Sequence, residues 1–284
     1  MQLSDGGELA WAEMGDPKGY PVFAFHGTPG SRHQVLVEPA AARAAGARVI
    51  APDRPGYGAS TWQQRRTLEG WANHVAEFAD HLDIERFAVM GVSGGGPHAA
   101  ACARFLPGRV SAAALVSGVA PLAEPGSEAG MMPANRLLTR VARKAPTANA
   151  LPFWLMSVLA RRAPTWLAKG MPAADAAVLT RPEVRSSFLA FAHASPTTGR
   201  AAAQEFGLFA RGWGFELGEV TVPVQVWQGD ADVNVPVGHA ERLSAAIPGA
   251  VLHVAPGEGH LMFVNHLEEI LRELLASRTR RPAN

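Results

Sequence analysis

The chain has 284 residues, of which 48% are hydrophobic and 18% charged, with a formal net charge of +1 and a single cysteine. That length suits one large domain, or a domain carrying an inserted lobe, and can bury a sizeable core. The balance excludes a disordered chain, offers nucleic acid no electrostatic footprint, and leaves no cysteine pair for an internal disulfide or a cysteine metal cage.

In chain order, Met1-Gln2-Leu3-Ser4-Asp5 has neither a basic start nor an apolar run, so no secretory signal is expected. No apolar stretch reaches membrane-spanning length, and a soluble cytoplasmic protein is the expectation. Residues 2–14, with Asp5-Gly6-Gly7 at the centre, read as an antiparallel hairpin leading into a sheet. Residues 22–26, 47–51, 87–92, 110–117, 222–228 and 251–255 read as strands, several of them continuously apolar. Such runs belong to strands covered on both faces, as in a mostly parallel sheet flanked by helices. Between them, Leu68, Trp71, Val75, Phe78, Ala79 and Leu82 share one face of a helix over residues 67–82. Leu261, Val264, Leu267, Ile270, Leu271 and Leu274 do the same near the end, and the basic tail 278–284 is expected to fray. Cys102, within an Ala-rich helix, reads as a small buried filler.

The alternation breaks between residues 119 and 215, where prolines from Pro121 to Pro196 cut the chain into short helical pieces. The expected organisation is therefore a core of residues 1–118 and 216–284 with a helical lid at 119–215. The lid carries Phe153, Trp154, Met156, Trp166, Met171, Phe188 and Phe191, most of which should pack its own small core, with a few facing a cleft. An apolar lid could also serve as a homodimer surface. From Arg136 to Lys169 it is basic (Arg136, Arg140, Arg143, Lys144, Arg161, Arg162, Lys169) without an acidic residue. A solvated face is the plainer account of that run, and attraction of an anionic substrate the sharper one.

Gly91-Val92-Ser93-Gly94-Gly95 directly follows the apolar run Phe87-Ala88-Val89-Met90. A G-x-S-x-G sequence where a buried strand turns sharply into a helix presents the serine hydroxyl on a strained corner. Such a hydroxyl needs a base, and His260 in Gly257-Glu258-Gly259-His260 stands between the last strand and the final helix, where imidazole can reach the strand ends. A carboxylate to orient that imidazole is offered by Gly229-Asp230-Ala231-Asp232, with Asp230 and Asp232 both in place. Oxyanion donors are expected in the main-chain N–H groups of Gly94 and of Thr28, in His26-Gly27-Thr28-Pro29-Gly30, with the Thr28 hydroxyl as a further candidate donor. His26 reads as structural, because the work of that loop falls to its main chain.

The order Ser, Asp, His, each just beyond a strand, resembles the α/β-hydrolase superfamily, and the likeness extends over almost the whole chain outside the lid. Its motifs are His26-Gly27, Asp53-Arg54-Pro55-Gly56-Tyr57-Gly58-Ala59-Ser60, the elbow at Ser93, the acid loop and Gly259-His260. The family's acid-loop pattern G-x-x-D-x-x-V-P, from Gly229 to Pro236, selects Asp232 and leaves Asp230 to tie down its loop. The resemblance implies catalytic residues Ser93, Asp232 and His260, no metal or organic cofactor, and a small-molecule substrate. Dehalogenases and most epoxide hydrolases of this fold carry aspartate at the elbow; serine there implies acyl chemistry on an ester, thioester or amide. Proline iminopeptidases have a similar lid but usually two glycines after the histidine, where this chain has Gly27-Thr28. Carbon–carbon bond hydrolases, cofactor-free oxygenases and slow-turnover ligand receptors share the same set. The expectation is a lidded serine hydrolase of small apolar esters, with carbon–carbon chemistry and a receptor role as alternatives.

Overall fold

A computed structural model describes residues 1–124, 126–162, 171–182, 184 and 199–278, with only the backbone described at 160 and 161. Seven strands form one sheet: β1 (Trp11–Gly15), β2 (Tyr20–Phe25), β3 (Ala47–Pro52), β4 (Phe87–Val92), β5 (Val110–Val116), β6 (Val224–Gly229) and β7 (Val251–Ala255). Their spatial order is β1-β3-β2-β4-β5-β6-β7. Only β1 runs antiparallel, against β3; every other pairing is parallel.

The central strands β2 to β6 are largely apolar because both faces are covered, whereas the edge strands β1 and β7 leave Glu13, Val251 and Val254 exposed. Phe23, Phe25, Val89, Leu115 and Val226 point to one face, where they meet α2 (Leu68–His81), α3 (Gly96–Phe105) and α8 (Val237–Ala246). Val22, Ala24, Met90, Ala114 and Val116 point to the other, against α1 (Pro39–Ala44) and α9 (Met262–Ser277). Residues two apart on a strand thus share a core, as the pleat requires. Helix α2 begins where Thr67 accepts the Gly70 N–H through its side chain, which satisfies one of the free donors of the first turn. Cys102 is fully buried on α3, and burial pushes its thiol pKa up.

The expected hairpin over residues 2–14 forms only around its turn. The first residues close on themselves through a single antiparallel bridge, Gln2 to Glu8, and β1 takes β3 as its partner. Strand β1 pairs with β3 along its whole length, from Trp11 opposite Pro52 to Gly15 opposite Arg48, while the Trp11 ring packs against Phe78.

Between β5 and β6 the described residues contain helices and no strand: α4 (Pro133–Lys144), α5 (Ala150–Arg162), α6 (Ala173–Val178) and α7 (Arg200–Arg211). Phe153 is buried with Tyr57 and with Ala201, Ala202 and Ala203 of α7, Met156 packs beside it, and Trp154 is exposed. Met171 packs on the core that contains α9. Trp166, Phe188, Phe191 and Lys169, and the side chain of Arg161, lie outside the described residues. The basic run is partly neutralised by a residue ahead of it, because Arg140 and Arg143 both pair with the buried Glu128. Hydrogen bonds from Arg143 and Arg140 hold that carboxyl down at about 2.

The turn from β4 into α3 packs so closely on β4 itself and on the end of β2 that side chains are excluded. A Cβ on Gly91 would lie 2.5 Å from the Gly95 carbonyl carbon, and one on Gly95 would lie 2.8 Å from the His26 carbonyl oxygen. Gly95→Ala should therefore lower unfolding stability by at least about 2 kcal/mol in urea titrations. Gly108→Ala, at a position with open space around it, should cost little in the same titrations. Equal midpoints for the two variants would overturn the steric account.

Candidate active site

Strands β4, β6 and β7 run parallel, and β5 alone separates β4 from β6. Ser93, Asp232 and His260, which follow these strands, therefore come out at one edge of the sheet. Ser93 is partly exposed at the β4–α3 corner with φ of 54°. Left-handed backbone costs a residue with a Cβ roughly 1–2 kcal/mol, and packing on both sides holds it there. The turn also brings Ser93 against the loop after β2: a Cβ on Gly27 would lie 3.2 Å from the Ser93 Cβ. Thr28 sits directly beside Gly94, where a Cβ would be 2.7 Å from the Thr28 Cβ and 3.1 Å from its main-chain nitrogen.

His260 and Asp232 meet directly, with His260 Nδ1 2.7 Å from Asp232 Oδ2. Asp232 is buried and accepts three further hydrogen bonds. The main-chain N–H groups of Asn234 and Val235 donate to Oδ1 at 2.8 and 2.9 Å, and Gln228 Nε2 donates to Oδ2 at 2.9 Å. Its orientation is thereby fixed. Asp230 points elsewhere and accepts the Gly257 N–H at 2.6 Å, which joins the loops after β6 and β7. The loop after β5 spans the gap between the serine and the histidine. Val119 donates its N–H to the Ser93 carbonyl at 3.4 Å, and Ser117 Oγ donates to the His260 carbonyl at 3.2 Å.

The histidines differ by environment. Burial holds His26 and His98 well below the ordinary imidazole pKa, with Arg54 adding to it, and burial brings His239 to about 4. His26 has both ring nitrogens engaged with main chain: Nδ1 lies 2.8 Å from the Gly27 carbonyl, and Nε2 accepts the Arg54 N–H at 3.2 Å. For His260, burial acts downward too, but Asp232 outweighs it by charge and hydrogen bond, and the pKa is raised.

Two further carboxylates, neither visible from motifs, reach this region from the β5–β6 insertion. Asp175 on α6 accepts the Leu261 N–H at 2.8 Å, immediately beside His260. Glu205 on α7 is fully buried and accepts hydrogen bonds from Arg54, Arg66, Tyr57 and the Thr28 hydroxyl. Burial alone would push the Glu205 carboxyl up; Arg54 and Arg66 outweigh it and hold it well below the usual range. The Thr28 hydroxyl proton points to Glu205, so that side chain is not free to act as the further donor the sequence allowed. A sequence signal for Glu205 did exist: Ala201, Glu205 and Phe209 are four residues apart on α7, which puts a carboxylate on a buried stripe. Among the described residues no cluster of three or more His, Cys, Asp or Glu is arranged to hold a metal ion, and no helix is long and apolar enough to cross a membrane.

The sequence model of the family described as alpha/beta hydrolase fold matches residues 20–267. A 2-hydroxy-6-oxononadienedioate/2-hydroxy-6-oxononatrienedioate hydrolase of Cupriavidus pinatubonensis is 31% identical over 221 residues, 76% of this chain and 71% of that protein. A non-heme haloperoxidase of Rhodococcus erythropolis is 27% identical, with 97% of each chain covered. Among solved structures, a thermophilic esterase from Thermogutta terrifontis superposes with a TM-score of 0.71 at 25% identity, covering 98% of this chain and 97% of that one. Three other curated relatives are matched over only 39%, 45% and 30% of their own length.

The pairing of His260 with Asp232 is open to direct measurement. In an NMR titration of imidazole resonances, His260 should titrate above the ordinary value of about 6.5. In Asp232→Asn, burial is left as the dominant influence and the midpoint should fall below that value. An unchanged midpoint would remove Asp232 as the cause.

Proposed function

The chain belongs to the α/β-hydrolase fold family, and on that premise we propose that it is a serine hydrolase of small, largely apolar esters or related acyl compounds. The observation that carries this reading is the 2.7 Å pair between His260 Nδ1 and the buried Asp232, formed at the sheet edge that also presents the strained Ser93. With Nδ1 engaged, Nε2 is the nitrogen left to take the serine proton.

In the proposed reaction, Ser93 Oγ adds to the substrate carbonyl carbon while its proton passes to His260 Nε2. Asp232 stabilises the imidazolium that forms. The carbonyl electron pair moves onto oxygen, where the N–H groups of Thr28 and Gly94 donate to it. Collapse expels the alcohol, which takes the proton from His260, and leaves an acyl-serine. Water then attacks with His260 as base, and the acid departs as Ser93 recovers its proton. Residues 119–215 act as a lid over the strand ends. Asp175 and Glu205, which extend from that insertion to the loops bearing His260 and Thr28, support this role.

A second reading, hydrolytic cleavage of a carbon–carbon bond at the same triad, is favoured by the likeness to the Cupriavidus dienedioate hydrolase. A p-nitrophenyl ester series from acetate to octanoate separates the two. Turnover that falls by at least about 10³-fold in Ser93→Ala supports acyl hydrolysis, and the preferred chain length sizes the pocket. Negligible ester turnover by the folded protein, with cleavage of a 2-hydroxy-6-oxo dienoate, would transfer the assignment to the second reading.

The choice of acid is tested in the same assay. Asp232→Asn should lower kcat by about 10⁴-fold, by analogy with other triads. Asp230→Asn, which loosens only a loop contact, should lower it by less than about tenfold. Equal losses, or the reverse ranking, would overturn the assignment.

A further inference from the structure

In the loop Gly27-Thr28-Pro29-Gly30, the Gly27 N–H is held by Gln34 Oε1 at 2.6 Å, and the one side chain able to hydrogen-bond is that of Thr28. That Thr28 side chain is fixed both as donor and as acceptor. Thr28 Oγ1 donates to Glu205 Oε2 at 2.5 Å and accepts from Arg54 Nη2 at 3.1 Å. Glu205 is held in turn by a fork from Arg54, with Nε 2.7 Å from Oε1 and Nη2 2.8 Å from Oε2. The Tyr57 hydroxyl donates to Oε2 at 2.9 Å, and Arg66 closes the set on Oε1. Arg54 Nη1 donates to the His26 carbonyl, and the two hydrogens of Nη2 are shared among Glu205, Thr28 and the Gly27 carbonyl, 3.0 Å away; His26 and Gly27 are the two residues before Thr28. Two carbonyls of the loop and the Thr28 side chain thus end on the same buried ion cluster.

That cluster depends on a single acidic residue. Arg54, Tyr57 and Arg66 come from the segment between β3 and α2, Thr28 from the loop after β2, and Glu205 alone from the β5–β6 insertion. All are buried apart from Thr28, which is partly exposed. Without Glu205 two guanidiniums would be left in the interior without a countercharge, and the Thr28 hydroxyl would lose its acceptor.

We infer that Glu205 is a positioning residue for the reaction: through the Thr28 hydroxyl it sets the direction of the Thr28 main-chain N–H, so that the insertion, and not the sheet alone, fixes the oxyanion site. This rests on the reading of Ser93 as nucleophile and of Thr28 as oxyanion donor. An oxyanion donor acts only if aimed at where charge develops, and misplacing one loses transition-state binding more than substrate binding. The geometry accounts for threonine at this position: a glycine there would leave the loop without its side-chain anchor.

The experiment compares wild type, Thr28→Val and Thr28→Ser as full-length proteins, by the rate of organophosphonate labelling at Ser93 and by steady-state ester kinetics. Valine replaces the hydroxyl with a methyl group of similar size, so packing is kept while both hydrogen bonds are lost. Labelling and kcat should each fall by about 10–100-fold in Thr28→Val, with KM within about twofold of wild type. Serine, which keeps the hydroxyl, should restore most of the rate. Glu205→Gln, once shown to be folded by circular dichroism, should give the same split between kcat and KM. If wild type labels at Ser93 and Thr28→Val labels equally fast, the inference alone is overturned. A loss in Thr28→Val that serine does not restore, or one expressed in KM alone, overturns it too. A wild type that does not label at Ser93 overturns the underlying reading and the inference together.

Discussion

Strand β4 and helix α3 pass within van der Waals reach of one another, and much of the site depends on that crossing. Because the chain must reverse between Val92 and Gly96 in so little room, Ser93 takes a left-handed φ of 54°. Gly91 has no Cβ to hold β4 off the start of α3, and Gly95 none to hold the turn off the end of β2. The same turn leaves Gly94 against Thr28, so the nucleophile candidate and both oxyanion candidates derive their relation from one steric fact. A parallel sheet then does the rest of the gathering. Elements that follow β2, β4, β6 and β7 emerge at a common edge whatever their distance in sequence.

Charge is distributed around this edge unevenly and with different consequences. Asp232 is buried but has four hydrogen-bond donors, so its orientation is over-determined, and its charge raises the imidazole that faces it. Glu205 is equally buried yet serves two guanidiniums, a phenol and a threonine hydroxyl. Buried ion pairs of this kind add little net stability over apolar packing, but removing one member is strongly destabilising because a lone charge remains in the interior. Their value here is positional. The cluster ties α7 of the insertion to the loops after β2 and β3, while Asp175 ties α6 to the loop that bears His260. The insertion is therefore joined to the core at the two places where the chemistry is expected.

Much of the fold was legible in the residues. The runs read as strands matched β2 to β7, with β4 and β7 at the expected bounds and the others within about two residues, as fraying ends allow. The amphipathic spacing of α2 and α9 also appeared directly. The hairpin at the start forms around its turn, between Met1 and Leu9, but does not reach residue 14, because local turn signals cannot say which distant strand offers a better edge. At the site, Asp232 and Asp230 were separated by family likeness alone, and the two carboxylates prove to have different partners. Phe188, Phe191 and Trp166 were expected to shape the lid and lie outside the described residues.

What the sequence determined by itself is what short-range physics controls: the alternation of buried strands and helices, the glycines that permit the tight turn at Ser93, and the placement of serine, aspartate and histidine just beyond strand ends. What only the tertiary structure decided is which side chains from distant segments share a buried space. Glu205 lies 151 residues from Arg54 and 177 from Thr28, and no local pattern encodes that pairing. It exists because burial denies each charge its water and leaves the other as the available partner.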